Sequence, residues 1–176
     1  EERTIEIQVN PEFKNVDNAF KEAFYYSEVI GRLPNFLLTN VKTVWIHKGK
    51  KNYGGGNENL LIHTGRSKEY ISKGILEEVF IHEAGHTSLD WDFGGLLSKT
   101  LWQKAKRKDK EHISDYAKKF PRREDVAESI LTWIAVRYRS DRISEENNEI
   151  VLNTIPNRLK FFDEQNFDMY PLVPRE

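Results

Sequence analysis

Ile75-Leu76-Glu77-Glu78-Val79-Phe80-Ile81-His82-Glu83-Ala84-Gly85-His86-Thr87-Ser88-Leu89 is the stretch on which the reading of this chain turns. From about Ile71 the pattern is helical: Ile75, Val79, His82, His86 and Leu89 fall on one face before the turn-rich Asp90 to Gly95. Apolar Val79-Phe80-Ile81 runs straight into His82, and small Ala84 and Gly85 separate the two histidines. The helix is therefore predicted to be buried where the imidazoles emerge. Gly85 costs ~1 kcal/mol relative to Ala in a helix interior, which close packing of another helix would explain.

Upstream of this helix the periodicity is mixed. Ile5, Ile7 and Val9 alternate with polar neighbours over Thr4 to Val9, as in a strand, and Val16 to Leu33 carries apolar residues at helical spacing up to Gly31 and Pro34. Val41 to His47 and Asn59 to His63 read as two short strands around the loop Gly49 to Asn57, with a hairpin as the simplest arrangement. Downstream, helices are expected over Leu96 to Arg107, Lys110 to Lys119, Arg122 to Arg139, Ser144 to Asn153 and Pro156 to Gln165. No repeat and no Pro/Ser-rich linker divides the 176 residues. The expectation is a single α+β domain over 1–176, mainly helical, with a small N-terminal sheet.

Composition narrows the classes. A 38% hydrophobic share with four Trp and ten Phe is enough to pack a core, so disorder is not expected. The 27 Lys and Arg nearly balance 28 Asp and Glu, leaving no net field that favours nucleic acid or an anionic membrane. No apolar run approaches the ~20 residues that span a bilayer, and Glu1-Glu2-Arg3-Thr4 lacks the apolar centre of a signal peptide. With no cysteine there is no disulfide and no thiolate, so any zinc ion must be held by His, Asp and Glu.

His82-Glu83-Ala84-Gly85-His86 has the form His-Glu-x-x-His. Histidines four apart on a helix project one turn apart from one face, so two imidazoles reach one zinc ion. Glu83 lies about 100° round the helix from His82, where its carboxylate stands beside the metal and serves as a general base toward water. A catalytic zinc site needs a third protein ligand and an open position. Asp90, Asp92, Glu124 and Glu128 are the downstream candidates. Glu124, Ala127, Glu128, Leu131, Ala135 and Tyr138 share one helix face, which sets two carboxylates in an otherwise mostly apolar stripe. Either a metal compensates them, or they are exposed acids favoured by the helix N-terminus and by Arg122 or Arg123.

With Glu124-Asp125-Val126-Ala127-Glu128 following it, the motif resembles the gluzincin metallopeptidases, and more narrowly the catalytic-domain family of anthrax lethal factor. The similarity runs from about Leu60 to Gln165 and includes Ile155-Pro156-Asn157-Arg158-Leu159-Lys160-Phe161-Phe162, which is similar to that family's terminal helix. It implies a zinc-dependent peptidase with one Zn2+ per chain, held by His82, His86 and Glu124, with Glu83 as the base. It also implies that Glu128 orients a ligand histidine and that Tyr116 supplies a hydroxyl to the oxyanion. Tyr116 lies one residue farther from Glu124 than the family spacing, a difference that Phe120-Pro121 must absorb. The expected partner is an extended peptide or protein substrate, bound by strand addition along Asn59, Leu60, Leu61, Ile62 and His63. Gly54-Gly55-Gly56 beside that strand is either a mobile flap or an ordinary hairpin loop. A secreted enzyme follows from the same resemblance, a monomer is expected, and the rival class is a catalytically idle zinc-binding module of the same fold.

Other signals are weaker. Asp92 stands ten residues after His82, where metzincins place a third ligand, but Leu89 occupies their turn-forming glycine position. His47, His63 and His112 have no partner at ligand spacing, and only His63 is placed to face substrate. The basic run Lys104 to Lys110 reads as a solvated helix face.

Overall fold

The computed structural model describes residues 4–92 and 96–175, and side chains outside 90–98. Among the described residues eight α-helices accompany one four-stranded sheet near the N-terminus. This is the mainly helical α+β class that the periodicity predicts. Contacts divide the chain into two compact units, Glu1–Ser88 with Met169–Glu176, and Leu89–Asp168.

The first unit holds the sheet: β1 (Glu6–Val9), β2 (Thr43–His47), β3 (Gly54–Gly56) and β4 (Asn59–His63), in the order β1-β2-β4-β3. β1, β2 and β4 are parallel, in a register that sets Ile7 opposite Val44 and Ile46 opposite Ile62. Helix α1 (Val16–Ile30) supplies the crossover that parallel β1 and β2 require. It starts where the Asn15 side chain accepts from the Asn18 amide. Val44, Ile46, Leu60 and Ile62 are buried on one sheet face, whereas Trp45 on the other is 45% exposed.

Two expectations about this sheet are corrected. β2 and β4 do not form a hairpin, because they run parallel; the hairpin is β3–β4. Its turn residues Asn57 and Glu58 both have positive φ, 49° and 60°, the backbone handedness that matches strand twist in a two-residue hairpin. Nor do Asn59, Leu60, Leu61, Ile62 and His63 form an open edge. β4 pairs with β2 along its whole length and with β3 over Asn59–Leu61, so along that stretch the edge is Gly54–Gly56. The glycine run, read from sequence as loop, becomes a strand because it lacks side chains. A Cβ on Gly55 would lie 1.8 Å from the Glu83 carbonyl oxygen, so only glycine lets this edge rest on the helix that carries Glu83.

After β4 the chain enters α2 (Thr64–Ser72) and then α3 (Leu76–Asp92). The helical pattern near Ile71 is thus the end of a separate helix. Gly74, at φ 67°, closes α2: its amide donates to Ile71 and that of Ile75 to Tyr70, the paired bonds of a glycine-terminated helix. α3 extends past the expected turn at Asp90 and runs to Asp92.

The second unit contains α4 (Leu96–Asp109), α5 (Asp115–Lys119), α6 (Asp125–Tyr138), α7 (Glu145–Thr154) and α8 (Pro156–Asp163). Its core is aromatic: Trp102, Trp133, Phe161 and Phe162 are buried, with Phe162 5.2 Å from Trp102 and 5.7 Å from Trp133, centroid to centroid. Burying an aliphatic or phenylalanine side chain fully contributes about 1.5–3 kcal/mol. The expected helix Lys110 to Lys119 is shorter than its pattern, since Lys110 at φ 65° ends α4 and Ser114 caps α5 by accepting from the Ala117 amide. On α6 the most buried face is Ala127, Ile130, Trp133 and Ile134, rotated from the expected stripe, and Glu128 is half-buried.

Candidate metal centre

Helix α3 is fixed first by apolar burial: Phe80, Ile81, Ala84 and Leu89 leave little surface to water. Two polar residues then set its rotation. The Thr87 hydroxyl accepts from the Gly56 amide at 2.8 Å and lies within donating distance of the Asn59 and Glu83 carbonyls. The Ser88 hydroxyl donates to the Leu37 carbonyl at 2.6 Å and accepts from the Asn40 amide. Both are fully buried, and their bonds to Gly56, Asn59, Leu37 and Asn40 tie α3 to the sheet and to the segment before β2. Consecutive small hydroxyl residues inside an apolar helix are the sequence signal for these anchors, and pattern reading passed over them.

On this helix the Nε2 atoms of His82 and His86 lie 3.1 Å apart, with the rings 84° from coplanar. Two nitrogens bound to one tetrahedral zinc at 2.0–2.1 Å stand roughly 3.3 Å from each other, so the pair converges as a shared ion requires. His86 is 7% exposed and His82 is half-buried. Glu124 stands just before α6, where its amide donates to the Phe120 carbonyl at 2.9 Å while its side chain makes no capping bond to its own helix. Its carboxylate is 2% exposed and 3.1 Å from Arg123 Nε. The ligand atoms of His82, His86 and Glu124 lie within 4.8 Å of one another, and among the described residues they alone form a His and carboxylate group that could hold a metal ion. Two imidazoles and a buried carboxylate are the donor set of a His2Glu zinc site, so the residues fit the ion that the motif implies.

The other expected site residues take varied places. Glu83 is half-buried, with Gly55 against its backbone. Tyr70, next in the same unit, has its hydroxyl pKa raised by burial, opposed by Arg66 and helped by the Glu83 charge. Glu128 is one turn beyond Glu124, its amide donating to the Glu124 carbonyl at 2.9 Å. Tyr116 sits on α5, 46% exposed and edge-on to Phe120 at 5.3 Å. The side chains of Asp90 and Asp92 lie outside the described residues. His47, His63 and His112 do not join the metal group. His63 is buried, with Nδ1 3.2 Å from the Asn52 carbonyl and a pKa lowered chiefly by burial. A cavity of about 560 Å³ bordered by Phe13, Lys21, Tyr25, Lys48, Lys68 and Ile71 has none of the His82–His86 stretch in its wall.

Two residues that carry weight around Glu124 were not singled out from the sequence. Asp125 and Arg158 are both charged and almost wholly buried, and they bond to each other. A charged residue in the apolar rhythm of a helix is their only sequence trace. No family model, curated protein or solved structure matches this chain. No helix among the described residues is long and apolar enough to cross a membrane.

Proposed function

We propose that this protein is a zinc-dependent endopeptidase of the gluzincin kind, similar to the lethal-factor family. The observation that carries the proposal is the convergence of His82 and His86 Nε2 with the buried Glu124 carboxylate, next to a glutamate at position 83. His82, His86 and Glu124 would hold the ion. Zinc, when bound, supplies Lewis acidity that acidifies water and polarises a carbonyl oxygen.

Each remaining role belongs to the chain. Glu83 accepts the proton of the attacking water and passes it to the departing amine, so the scissile C–N bond is exchanged for a carboxylate and a free amine. Glu128 orients a ligand histidine, and the Tyr116 hydroxyl donates to the oxygen on which negative charge develops. The substrate lies extended along the sheet edge. The edge strand is Gly54–Gly56, which rests on the Glu83 backbone and offers main-chain groups without side-chain obstruction. An extracellular place of action belongs to the same reading.

Zinc content and cleavage of a diverse peptide library test it, using wild type, Glu83→Gln and Glu124→Ala. One zinc per chain, cleavage lost in Glu83→Gln with zinc retained, and zinc lost in Glu124→Ala are the expected results. Zinc without cleavage in wild type would replace the enzyme by an idle zinc-binding module, and wild-type zinc affinity in Glu124→Ala would remove Glu124 from the site.

A further inference from the structure

We propose that Arg158 is a positioning residue for the metal site: held between Asp109 and Asp125, it fixes the first turn of α6 and with it the carboxylate of Glu124. The inference rests on Glu124 being a metal ligand, as proposed above.

Arg158, on α8, has no solvent exposure. Its guanidinium makes a two-pronged contact with Asp125, Nη2 to Oδ1 at 3.1 Å and Nε to Oδ2 at 3.3 Å. Nη1 donates to Asp109 Oδ2 at 3.0 Å and to the Glu111 carbonyl at 2.9 Å. Asp109, at the end of α4, also accepts from the Asn157 amide at 2.7 Å, the Asn157 side chain at 2.8 Å and the Arg158 amide at 3.0 Å. From the same side, Lys106 Nζ stands 3.3 Å from Asp125 Oδ2 and donates to the Pro121 carbonyl at 2.9 Å. Three segments are thereby bolted together: the end of α4, the start of α8, and the turn from Pro121 into α6.

Asp109 also caps the first turn of α8, but that use does not call for a buried guanidinium on Asp125. Taking charges out of water is costly, and apolar residues of similar volume serve stability as well or better. What a planar, five-donor guanidinium supplies is direction: it holds two carboxylates at defined angles, which a lysine ammonium does not. One peptide bond joins Asp125 to Glu124, whose carboxylate also stands 3.1 Å from Arg123 Nε. An orientation imposed on Asp125 is therefore imposed on the backbone from which the Glu124 carboxylate projects. Partners that orient metal ligands typically govern about 10–100-fold in metal affinity.

Zinc affinity, measured by competition with a chromophoric chelator, and the visible spectrum of the cobalt(II)-loaded protein form the test. The variants are Arg158→Lys, Asp125→Asn, the ligand variant Glu124→Gln, and Arg137→Met. The last breaks the Arg137–Asp163 pair, 2.9 Å long, which joins α6 to α8 away from Arg158. Arg158→Lys and Asp125→Asn are expected to weaken zinc by about 10–100-fold and to change the cobalt spectrum. Arg137→Met should lower the melting temperature while leaving both metal readouts as in wild type. Should Arg158→Lys fail to fold, Asp125→Asn, which keeps shape, carries the comparison. Wild-type zinc affinity in the Arg158 and Asp125 variants, with zinc lost in Glu124→Gln, overturns the positioning role alone. Equal weakening by Arg137→Met overturns it too, since affinity would then follow overall stability. Zinc kept by Glu124→Gln overturns the ligand reading and the positioning role together.

Discussion

Gly55→Ala tests whether the sheet edge and the motif helix are in backbone contact. The added Cβ would sit 1.8 Å from the Glu83 carbonyl oxygen, 2.6 Å from its carbon and 2.9 Å from its Cα. All three are backbone atoms in a helix anchored by buried Phe80, Ile81 and Ala84, so the helix cannot yield and β3 must. Restoring an ordinary 3.4 Å contact needs a shift of about 1.6 Å. The Gly56 amide, 2.8 Å from the Thr87 hydroxyl, would then lose its acceptor, and β3 pairing opposite Asn59–Leu61 would loosen. Overpacking of this kind costs about 1–3 kcal/mol, and each hydrogen bond lost adds about 1 kcal/mol. A total of about 2–4 kcal/mol is expected. Urea unfolding of Gly54→Ala, whose Cβ meets Leu61 at an ordinary 3.8 Å, is the internal control and should change little. Equal stability of Gly55→Ala and Gly54→Ala would refute the claimed contact, and with it the account of why three glycines occupy the edge.

Two further expectations concern buried hydroxyl groups of the first unit. Thr87→Val removes the acceptor of the Gly56 amide and should cost about 1–3 kcal/mol in urea unfolding, while Thr87→Ser should recover most of it. Burial holds the Tyr26 and Tyr53 phenols above their ordinary pKa of 10.0, with hydrogen bonds to Ser67 opposing it. Because the folded pKa values are raised, this stability is whole below pH ~10 and is lost above it, as the unfolded chain releases protons that the folded chain keeps. Phenolate absorbance should therefore show these two of the seven tyrosines ionising together with loss of far-ultraviolet dichroism. Ionisation of all seven before any loss of dichroism would contradict their burial.

Local chemistry made much of the protein legible in its sequence. Helical spacing placed His82 and His86 on one face, because the period of an α-helix is a property of the backbone and needs no neighbour. The same holds for the starts of α1 and α7, where Asn15 and Ser144 accept from amides three residues on. The mixed α+β class followed from two periodicities in one chain. Tertiary structure alone decided the rest. Gly54–Gly56 has no side chain to show an alternation, so its role as edge strand, and the inner position of β4, depend on what packs against it. Nothing in the sequence marks Asp125 and Arg158 as a pair; α4, α6 and α8 bring them together out of water. Which carboxylate stands near the two imidazoles was likewise open among several acids, because that choice joins residues some forty positions apart, and the folded chain brings Glu124 within reach of both histidines.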